Sequence, residues 1–375
     1  MAEATIQRIE MGILEGTRPR HAGSNARLGP HGATVRLPIV RITASDGASG
    51  FGRCGATAMA LESLIGQDID TLVSTDGADP ACIPVEYPLL DLAARRVGEP
   101  VYRFVDPARS PEPLRVRIYD TTLYFDDLHL ESDEEAVALL ADEAREGLAT
   151  GHAAFKIKVG RGARHMALEQ GTARDIAIIQ AVREAVGPDA PIMIDANNGY
   201  NLNLTKRVLS ETRDANVHWM EEAFHEDAVL YRDLREWLDR EGLDVLIADG
   251  EGTADPALVG WAEEGLIDVV QYDIFSYGFT RWLQLGARLD AIGVRSAPHN
   301  YGSVLGNYAT GHLARRIDKL PFVEWDPADV PGIDASGYAV RNGLIELPDV
   351  PGFGLTLDED RFSAAVASGG FTLTT

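Results

Sequence analysis

Eight short apolar runs alternate with seven longer amphipathic stretches between residues 114 and 330, and this alternation constrains the fold more than any other feature. Each apolar run has the length of a strand, and each amphipathic stretch has the length of a helix. Strands that alternate with helices form parallel sheets. Eight strands over about 210 residues predict a closed α/β barrel. A doubly wound open sheet is the alternative, but it calls for a glycine-rich phosphate turn after an early strand, and we find none.

The positions of the strands and helices follow from the same runs. The predicted strands cover residues 115–119, 154–159, 192–194, 217–220, 244–248, 269–271, 293–297 and 322–323. The predicted helices cover residues 133–147, 167–186, 204–214, 228–240, 256–264, 280–291 and 305–316.

Three segments differ in composition, and they predict the domain organisation. Residues 1–113 are rich in glycine, arginine and turns, and three prolines between 107 and 113 mark a boundary. Residues 114–330 form the barrel. Residues 331–375 leave it, and Asn342-Gly343 between alternating runs predicts a β-hairpin that packs back on the N-terminal domain.

The composition excludes several classes of protein. The 375 residues carry a formal net charge of −24, which argues against nucleic-acid and anionic-membrane partners. Two cysteines imply no disulfide framework. Because we find no signal peptide and no apolar run of about 18 residues, we expect a cytoplasmic protein without a membrane span.

Lys156 and Lys158 share a face of the second predicted barrel strand, since residues i and i+2 of a strand point the same way. Two ammonium groups are costly in a packed barrel unless they reach water or carboxylates. The carboxyl-terminal mouth of the barrel meets this need, and active sites of this fold lie there. An exposed edge strand with two solvated lysines is the alternative.

Three acids follow successive predicted strands. Asp195, Glu221 and Glu251 are 26 and 30 residues apart, about one strand–helix unit each. We expect their carboxylates to converge at the barrel mouth, where they repel one another unless a cation neutralises them. Carboxylate ligands suit Mg²⁺, with Mn²⁺ as the alternative metal. Asp249 is a further acid at the same strand end, so the third ligand stays open.

The last three strands also end in residues that can transfer protons. Asp273 and His299 follow the sixth and seventh strands, 26 residues apart. A carboxylate beside an imidazole holds its tautomer and raises its pKa, which makes a general acid or base. Glu324 follows the eighth strand, where it either forms a hydrogen bond near developing oxyanion charge or caps a loop.

This ordered set resembles the enolase superfamily, and within it the mandelate racemase-like subgroup, which includes many acid-sugar dehydratases. Lys156-Ile157-Lys158 resembles the subgroup's Lys-x-Lys motif. The resemblance implies that Asp195, Glu221 and Glu251 bind the metal, that Asp273 and His299 form a dyad, and that Glu324 is the last-strand glutamate. It also implies a modified (β/α)7β barrel with an α+β capping domain built from the N- and C-terminal segments.

The resemblance implies abstraction of a proton α to a carboxylate. The metal and Lys156 would stabilise the charge that develops, and we expect Lys158 to be the base because the metal and Lys156 depress its pKa. His299 as an acid gives dehydration of an acid sugar to a 2-keto-3-deoxy acid. With the same Lys158 and His299, a racemase, an epimerase or a lactone cycloisomerase is the alternative. A non-catalytic ligand-binding relative is a hypothesis of another class.

The resemblance implies that loops of the capping domain close over the substrate. The polar segment 17–33 therefore favours a polyhydroxylated acid as the substrate. Its predicted substrate-binding residues are Arg20, His21, Arg27 and His31, with Asn197 from the barrel; a solvated loop is the alternative. We expect a small-molecule carboxylate substrate, a sugar acid, and a homo-oligomer.

Overall fold

An antiparallel sheet opens the chain. The structure, a computed structural model, describes residues 4–109 and 112–375. Its first elements are β1 (Ile6–Ala22), β2 (Gly32–Ala44), β3 (Ser49–Arg53), α1 (Ala58–Leu61), α2 (Ile69–Leu72), β4 (Val73–Ser74), β5 (Gly77–Ala78), α3 (Glu86–Val97) and α4 (Val101–Phe104). Helix α3 packs on the sheet so closely that a Cβ on Gly50 would lie 2.2 Å from the backbone nitrogen of Leu92.

About half of the segment 17–33, predicted as one polar loop, is strand. β1 extends to Ala22 and pairs with β2 through Thr17–Thr34 and, after a shift of register, Ala22–Gly32. Only residues 23–31 connect the two strands. Because a strand alternates its side chains between two faces, the predicted binding residues in this segment cannot all point the same way.

A barrel of parallel strands follows, as predicted. Its strands are β6 (Arg115–Leu123), β7 (Phe155–Lys158), β8 (Ile192–Asp195), β9 (Val217–Glu221), β10 (Leu246–Asp249), β11 (Val269–Val270), β12 (Arg295–Ser296) and β13 (Val323–Trp325). The helices between them are α5 (Asp133–Ala149), α6 (Leu168–Val186), α7 (Leu202–Glu211), α8 (Ala228–Glu241), α9 (Leu258–Glu263), α10 (Phe279–Ile292) and α11 (Val304–Leu313). Since β13 pairs with β6, the barrel returns to its first strand.

The lower interior of the barrel is apolar. Eight buried side chains from the eight strand regions pack there: Tyr119, Ala154, Met193, Trp219, Ala248, Val269, Ala297 and Phe322. Two residues further along several of these strands, on the same face, the side chains become charged. This change along the strands separates a packed floor from a polar mouth.

The C-terminal segment contacts both earlier parts of the chain. Its elements are β14 (Ile333–Asp334), β15 (Ala339–Arg341), β16 (Leu344–Glu346), β17 (Thr356–Leu357), α12 (Glu359–Ala367) and β18 (Phe371–Thr374). β18 pairs with β1 and completes the sheet β18-β1-β2-β3. This sheet therefore contains strands from both ends of the chain, as the resemblance implied for a capping domain.

The predicted hairpin forms, but its predicted contact is wrong. Asn342 and Gly343 have φ values of 52° and 72°, which a tight turn between β15 and β16 requires. β16 pairs antiparallel with β6 of the barrel, not with the N-terminal sheet. The open edge of β6 accepts this strand at Val116 and Arg117, and β18 is the strand that joins the N-terminal sheet. The exact division at residues 113 and 330 remains a prediction.

Among residues 4–109 and 112–375, no helix is both long enough and apolar enough to cross a membrane.

Candidate active site

The two lysines of β7 point into the barrel mouth, and both are buried. Lys158 is paired with Asp195 in the register of β7 and β8, and Asp195 is paired with Glu221 in that of β8 and β9. Residues paired in this way share a face of the sheet, so these side chains converge inside the barrel. The alternative of an exposed edge strand with solvated lysines is wrong.

Lys156 is enclosed by carboxylates. Its Nζ lies 2.7 Å from Oε1 of Glu221, 2.7 Å from Oε1 of Glu324 and 3.7 Å from Oδ2 of Asp195. Burial lowers the pKa of Lys156, but the charges of Glu221 and Glu324 outweigh it and hold the pKa well above its usual value. Lys156 is therefore a fixed positive charge.

Lys158 donates a hydrogen bond to Oδ2 of Asp195, and its Nζ lies 5.6 Å from the ring centre of Tyr124. Burial lowers the pKa of Lys158, but the negative charges around it, that of Asp195 foremost, together outweigh burial, so the pKa lies above its usual value. The expectation that the pKa of Lys158 is depressed is therefore wrong when only the protein's own groups surround it. Asp195, expected only as a metal ligand, is also the carboxylate that pairs with Lys158.

Three carboxylates approach one another at the mouth. One oxygen each from Asp195, Glu222 and Glu251 lie within 4.8 Å of one another, and we call these residues the carboxylate group. Glu222 belongs to it because its φ is 43°, which turns the chain after β9. Asn197 donates from Nδ2 to Oε2 of Glu222 at 2.7 Å, so this predicted binding residue also lies at the group.

The predicted ligand Glu221 lies deeper, and the structure does not bring it into the carboxylate group. Its Oε2 accepts hydrogen bonds from Trp219 Nε1 at 3.0 Å and from Gln271 Nε2 at 2.8 Å, while Oε1 faces Lys156. Asp249, the alternative third ligand, points outward and accepts from Tyr231 Oη at 2.6 Å. The side-chain alternation of β10 explains this, because its inward residue is Ala248.

The carboxylate group fits a divalent cation. Burial raises the pKa of Glu222 most, and the charges of Glu251 and Asp195 raise it further, to about 9. A bound cation would favour the ionised carboxylate and so reverse this rise in pKa. Oε2 of Glu251 and Oδ1 of Asn197 are buried and have no hydrogen-bond partner among the described residues. An all-oxygen set with open acceptors suits Mg²⁺.

Asp273 and His299 form the predicted dyad. His299 Nδ1 lies 3.1 Å from Oδ2 of Asp273, and its Nε2 lies 3.6 Å from Oε2 of Glu251. Burial opposes the charged imidazole, but Glu251, Glu324 and Asp273 outweigh it and raise the pKa of His299 to about 10. The ring is thus held in its protonated, acidic form.

Glu324 is an anion held by three donors. Its Oε1 accepts from Thr121 Oγ1 at 2.6 Å and faces Lys156, and its Oε2 accepts from the backbone N–H of Asn300 at 2.9 Å. Burial raises the pKa of Glu324, but Lys156 and then His299 lower it to about 2. It links the lysine side of the mouth to the histidine side.

Two predicted residues of the capping segment reach the mouth. The guanidinium of Arg27 lies 3.6 Å from Oε1 of Glu222 and 3.5 Å from Oε1 of Glu251. The ring of His31 packs 5.0 Å from those of Tyr124 and Tyr301. Both side chains therefore cover the mouth from above.

Arg20 and His21 do not reach the carboxylate group. Arg20 donates to Thr122 and lies 3.2 Å from Glu146 and 3.3 Å from Glu143 of α5. His21 is exposed on the opposite face of β1. The strand continues through both residues, so its alternation decides their directions.

Sequence reasoning missed Arg18, Tyr124 and Tyr301. Arg18 is buried, pairs with Asp326 at 3.0 Å and lies 4.5 Å from the ring centre of Tyr301. A cavity of about 360 Å³ beside these residues also contacts Trp325, but neither Lys158 nor His299 lines it. Alternation along β1 would have indicated Arg18.

Comparisons with known proteins agree with this arrangement. A family model described as "Enolase C-terminal domain-like" matches residues 139–361, more than half of the chain. That range includes every predicted barrel residue of the site, from Lys156 to Glu324.

Three relatives are similar over much of their length. A galacturonate dehydratase from a Geobacillus species has been solved as a mutant with Mg, and also with D-galacturonate and 5-keto-4-deoxy-D-galacturonate. Both solved chains are 47% identical to this one, and each match covers 99% of this chain. The match to the Mg complex of the mutant covers 97% of that chain with a TM-score of 0.96. The match to the complex with D-galacturonate covers 99% of that chain with a TM-score of 0.95. D-xylonate dehydratase of Haloferax volcanii is 25% identical over 98% of this chain and 96% of its own length. D-galactarolactone cycloisomerase of Agrobacterium fabrum is 29% identical, over 59% of this chain and 58% of its own.

The barrel, the ordered strand-end residues, the family model and the full-length match at 47% identity agree. The chain therefore belongs to the enolase superfamily, within its mandelate racemase-like subgroup.

Proposed function

We propose that this protein is a Mg²⁺-dependent dehydratase of a sugar acid, with a hexuronate such as D-galacturonate as substrate. One observation carries the proposal: a buried lysine and a buried histidine, each paired with a carboxylate, lie at the same barrel mouth as the carboxylate group. The similarity to a galacturonate dehydratase over the whole chain supports the substrate class.

We propose Asp195 and Glu251 as two ligands of the ion and one of two consecutive glutamates as the third. Strand-end spacing favours Glu221, whereas the approach of the carboxylates favours Glu222. A Mg²⁺ ion held by these carboxylates would offset the charge of Asp195, which otherwise keeps the proton on Lys158, and would stabilise negative charge on the substrate carboxylate.

The chain's own groups then divide the proton transfers. Neutral Lys158 takes the proton from the carbon next to the carboxylate, while Lys156 stays protonated and offsets the charge there. His299 gives its proton to the hydroxyl on the following carbon, the carbon–oxygen bond breaks, and water leaves. The enol that remains tautomerises to the keto acid.

The experiment uses purified protein with D-galacturonate and Mg²⁺ in D₂O. We expect keto acid, detected with semicarbazide, and we expect EDTA to abolish its formation. Inverted or cyclised substrate without keto acid would favour an epimerase or cycloisomerase. Absence of both exchange and product across a panel of sugar acids would leave only a binding protein.

Two variants separate the base from the acid. Lys158→Ala should abolish both α-proton exchange and dehydration, because no other group takes the proton. His299→Asn should abolish dehydration but retain slow exchange, because Lys158 can still remove and return the proton. Exchange that survives in Lys158→Ala but not in His299→Asn would reverse the roles.

We also propose a homo-oligomer located in the cytoplasm. The excess of acidic residues and the sugar-acid substrates of the relatives are compatible with a metabolic enzyme there. Light scattering after size exclusion tests the oligomer, and a monomer at micromolar concentration would contradict it.

A further inference from the structure

The barrel wall has one seam without a backbone ladder. Among the described strands, every other neighbouring pair is joined by a ladder, including β11 with β12 and β13 with β6. β12 and β13 are not paired. One backbone hydrogen bond crosses below the mouth, from Ser296 N–H to Lys319 O at 2.9 Å. His299 lies directly above this seam.

A buried side-chain amide closes the upper part of the seam. Asn307 of α11 accepts at Oδ1 from Asn300 Nδ2 at 2.8 Å and from the backbone N–H of Asp326 at 3.0 Å. Its Nδ2 donates to the backbone oxygen of Asp326 at 2.8 Å. The amide thus satisfies both backbone groups of Asp326, as a neighbouring strand would. At the same time it holds the side chain of Asn300, the residue after His299.

Further contacts fix the same strand end. Glu324 accepts from the backbone N–H of Asn300, and the backbone oxygen of His299 accepts from Ile274 N–H at 2.9 Å. A Cβ on Gly306 would lie 1.9 Å from Oδ1 of Asn300, so the Asn300 side chain has no room to move toward α11. Glu324 and Asp326 reach across the seam from the β13 side, to the backbone of Asn300 and Gly302. Asn307 bonds both sides at once from behind, on α11.

We propose that Asn307 is a positioning residue for His299: it joins the ends of the seventh and eighth strands so that the imidazole faces the departing hydroxyl. This inference rests on the proposed dehydration. Lys158 lies on β7, across the barrel, and its own contacts do not include Asn307. Loss of the amide should therefore impair protonation of the leaving group and spare removal of the α-proton.

The test compares two rates in the same variant. For Asn307→Ala with D-galacturonate and Mg²⁺, we expect dehydration to fall about 10- to 100-fold, as for other small misplacements of a reacting group. We expect α-proton exchange to change less than about threefold, since Lys158 is unaffected. Leu313→Ala, also fully buried on α11, is the control: it lowers stability but should leave the ratio of exchange to dehydration unchanged.

Asn300→Ala removes the same bond from the other side and replaces Asn307→Ala if that variant does not fold. Because one contact is lost in common, the double variant should dehydrate within about threefold of the slower single variant. Suppose that the wild type both exchanges the α-proton and dehydrates the substrate. If the variants then lose both rates equally, or lose neither rate, this inference alone is overturned. A wild type that does neither would overturn the proposed function and this inference together.

Discussion

At the scale of single residues, the direction of a side chain decides its chemistry. Glu221 and Glu222 are adjacent, yet strand alternation sends the first into the barrel and a positive φ sends the second to the carboxylate group. Burial raises the pKa of both, to about 7 and about 9. Lys156 lowers the pKa of Glu221 in part, so the charge of Glu221 already has a partner.

Substitution of each carboxylate by its amide tests the ligands. Asp195→Asn and Glu251→Gln should each weaken Mg²⁺ binding by at least about tenfold, since Mg²⁺ depends on carboxylate ligands. Calorimetric titration of the apoprotein with Mg²⁺ measures this directly. Of Glu221→Gln and Glu222→Gln, the variant that removes the ligand should match or exceed these losses, and the other variant should lose less affinity. Full affinity in all four variants would place the ion elsewhere.

At the scale of elements, the segment between β1 and β2 brings a cation to the mouth. Arg27 faces Glu222 and Glu251, although 40% of its side chain is exposed. Because partly exposed ion pairs contribute little to stability, we propose that Arg27 binds the substrate rather than stabilising the fold.

Arg27→Ala should raise the KM for D-galacturonate by about tenfold and change kcat less than about threefold, because the groups that react with the substrate lie in the barrel. Arg36→Ala is the control, since Arg36 pairs with Glu15 on the exposed side of the same sheet. Steady-state kinetics distinguish the two variants. A lower kcat with unchanged KM would instead place Arg27 in the chemical step.

Helix α11 shows how tightly one element must pack behind the site. Alanine normally stabilises a helix relative to glycine by up to about 1 kcal/mol. Gly306→Ala should do the opposite and destabilise by about 1–3 kcal/mol, because its Cβ would overlap Asn300. Gly260→Ala in α9 meets nothing within 4 Å and should be neutral or stabilising. Thermal unfolding of both variants checks this; equal effects would contradict it.

At the scale of the whole molecule, one histidine ties three segments together. His312 Nδ1 accepts from the backbone N–H of Tyr102 at 2.9 Å, so Nε2 carries the proton and faces Tyr338 Oη at 2.8 Å. Tyr338 in turn donates to the backbone oxygen of Phe353 at 2.5 Å. The barrel, the N-terminal segment and the C-terminal segment meet at this neutral imidazole.

Burial lowers the pKa of His312 to about 3, below about 6.5 in an unfolded chain. Between these values the unfolded state binds the extra proton, so this contribution to stability is complete above about pH 6.5 and is lost as the pH falls towards 3. From pH 6.5 to 5.5 the free energy of unfolding should fall about 1 kcal/mol more in the wild type than in His312→Gln, because the unfolded chain takes up most of a proton over this interval. Urea unfolding measures the difference, and parallel pH profiles would contradict it.

The parts predicted from sequence and the parts missed differ in a physical way. Strand-end positions such as Asp195 and His299 follow from the order of residues, because a parallel barrel brings all carboxyl ends to one rim. The raised pKa of Lys158 and the partner of the hairpin depend on neighbours that are distant in sequence. A local pattern carries no information about them.

The alternation of apolar runs by itself determined the barrel, the mouth and the residues on its rim, because periodicity and strand length are local properties of the chain. Only the tertiary structure decided which carboxylates approach one another, which lysine is paired with Asp195, and how the seam between β12 and β13 is closed. Each of these depends on distances of a few ångströms between side chains that lie far apart in the sequence.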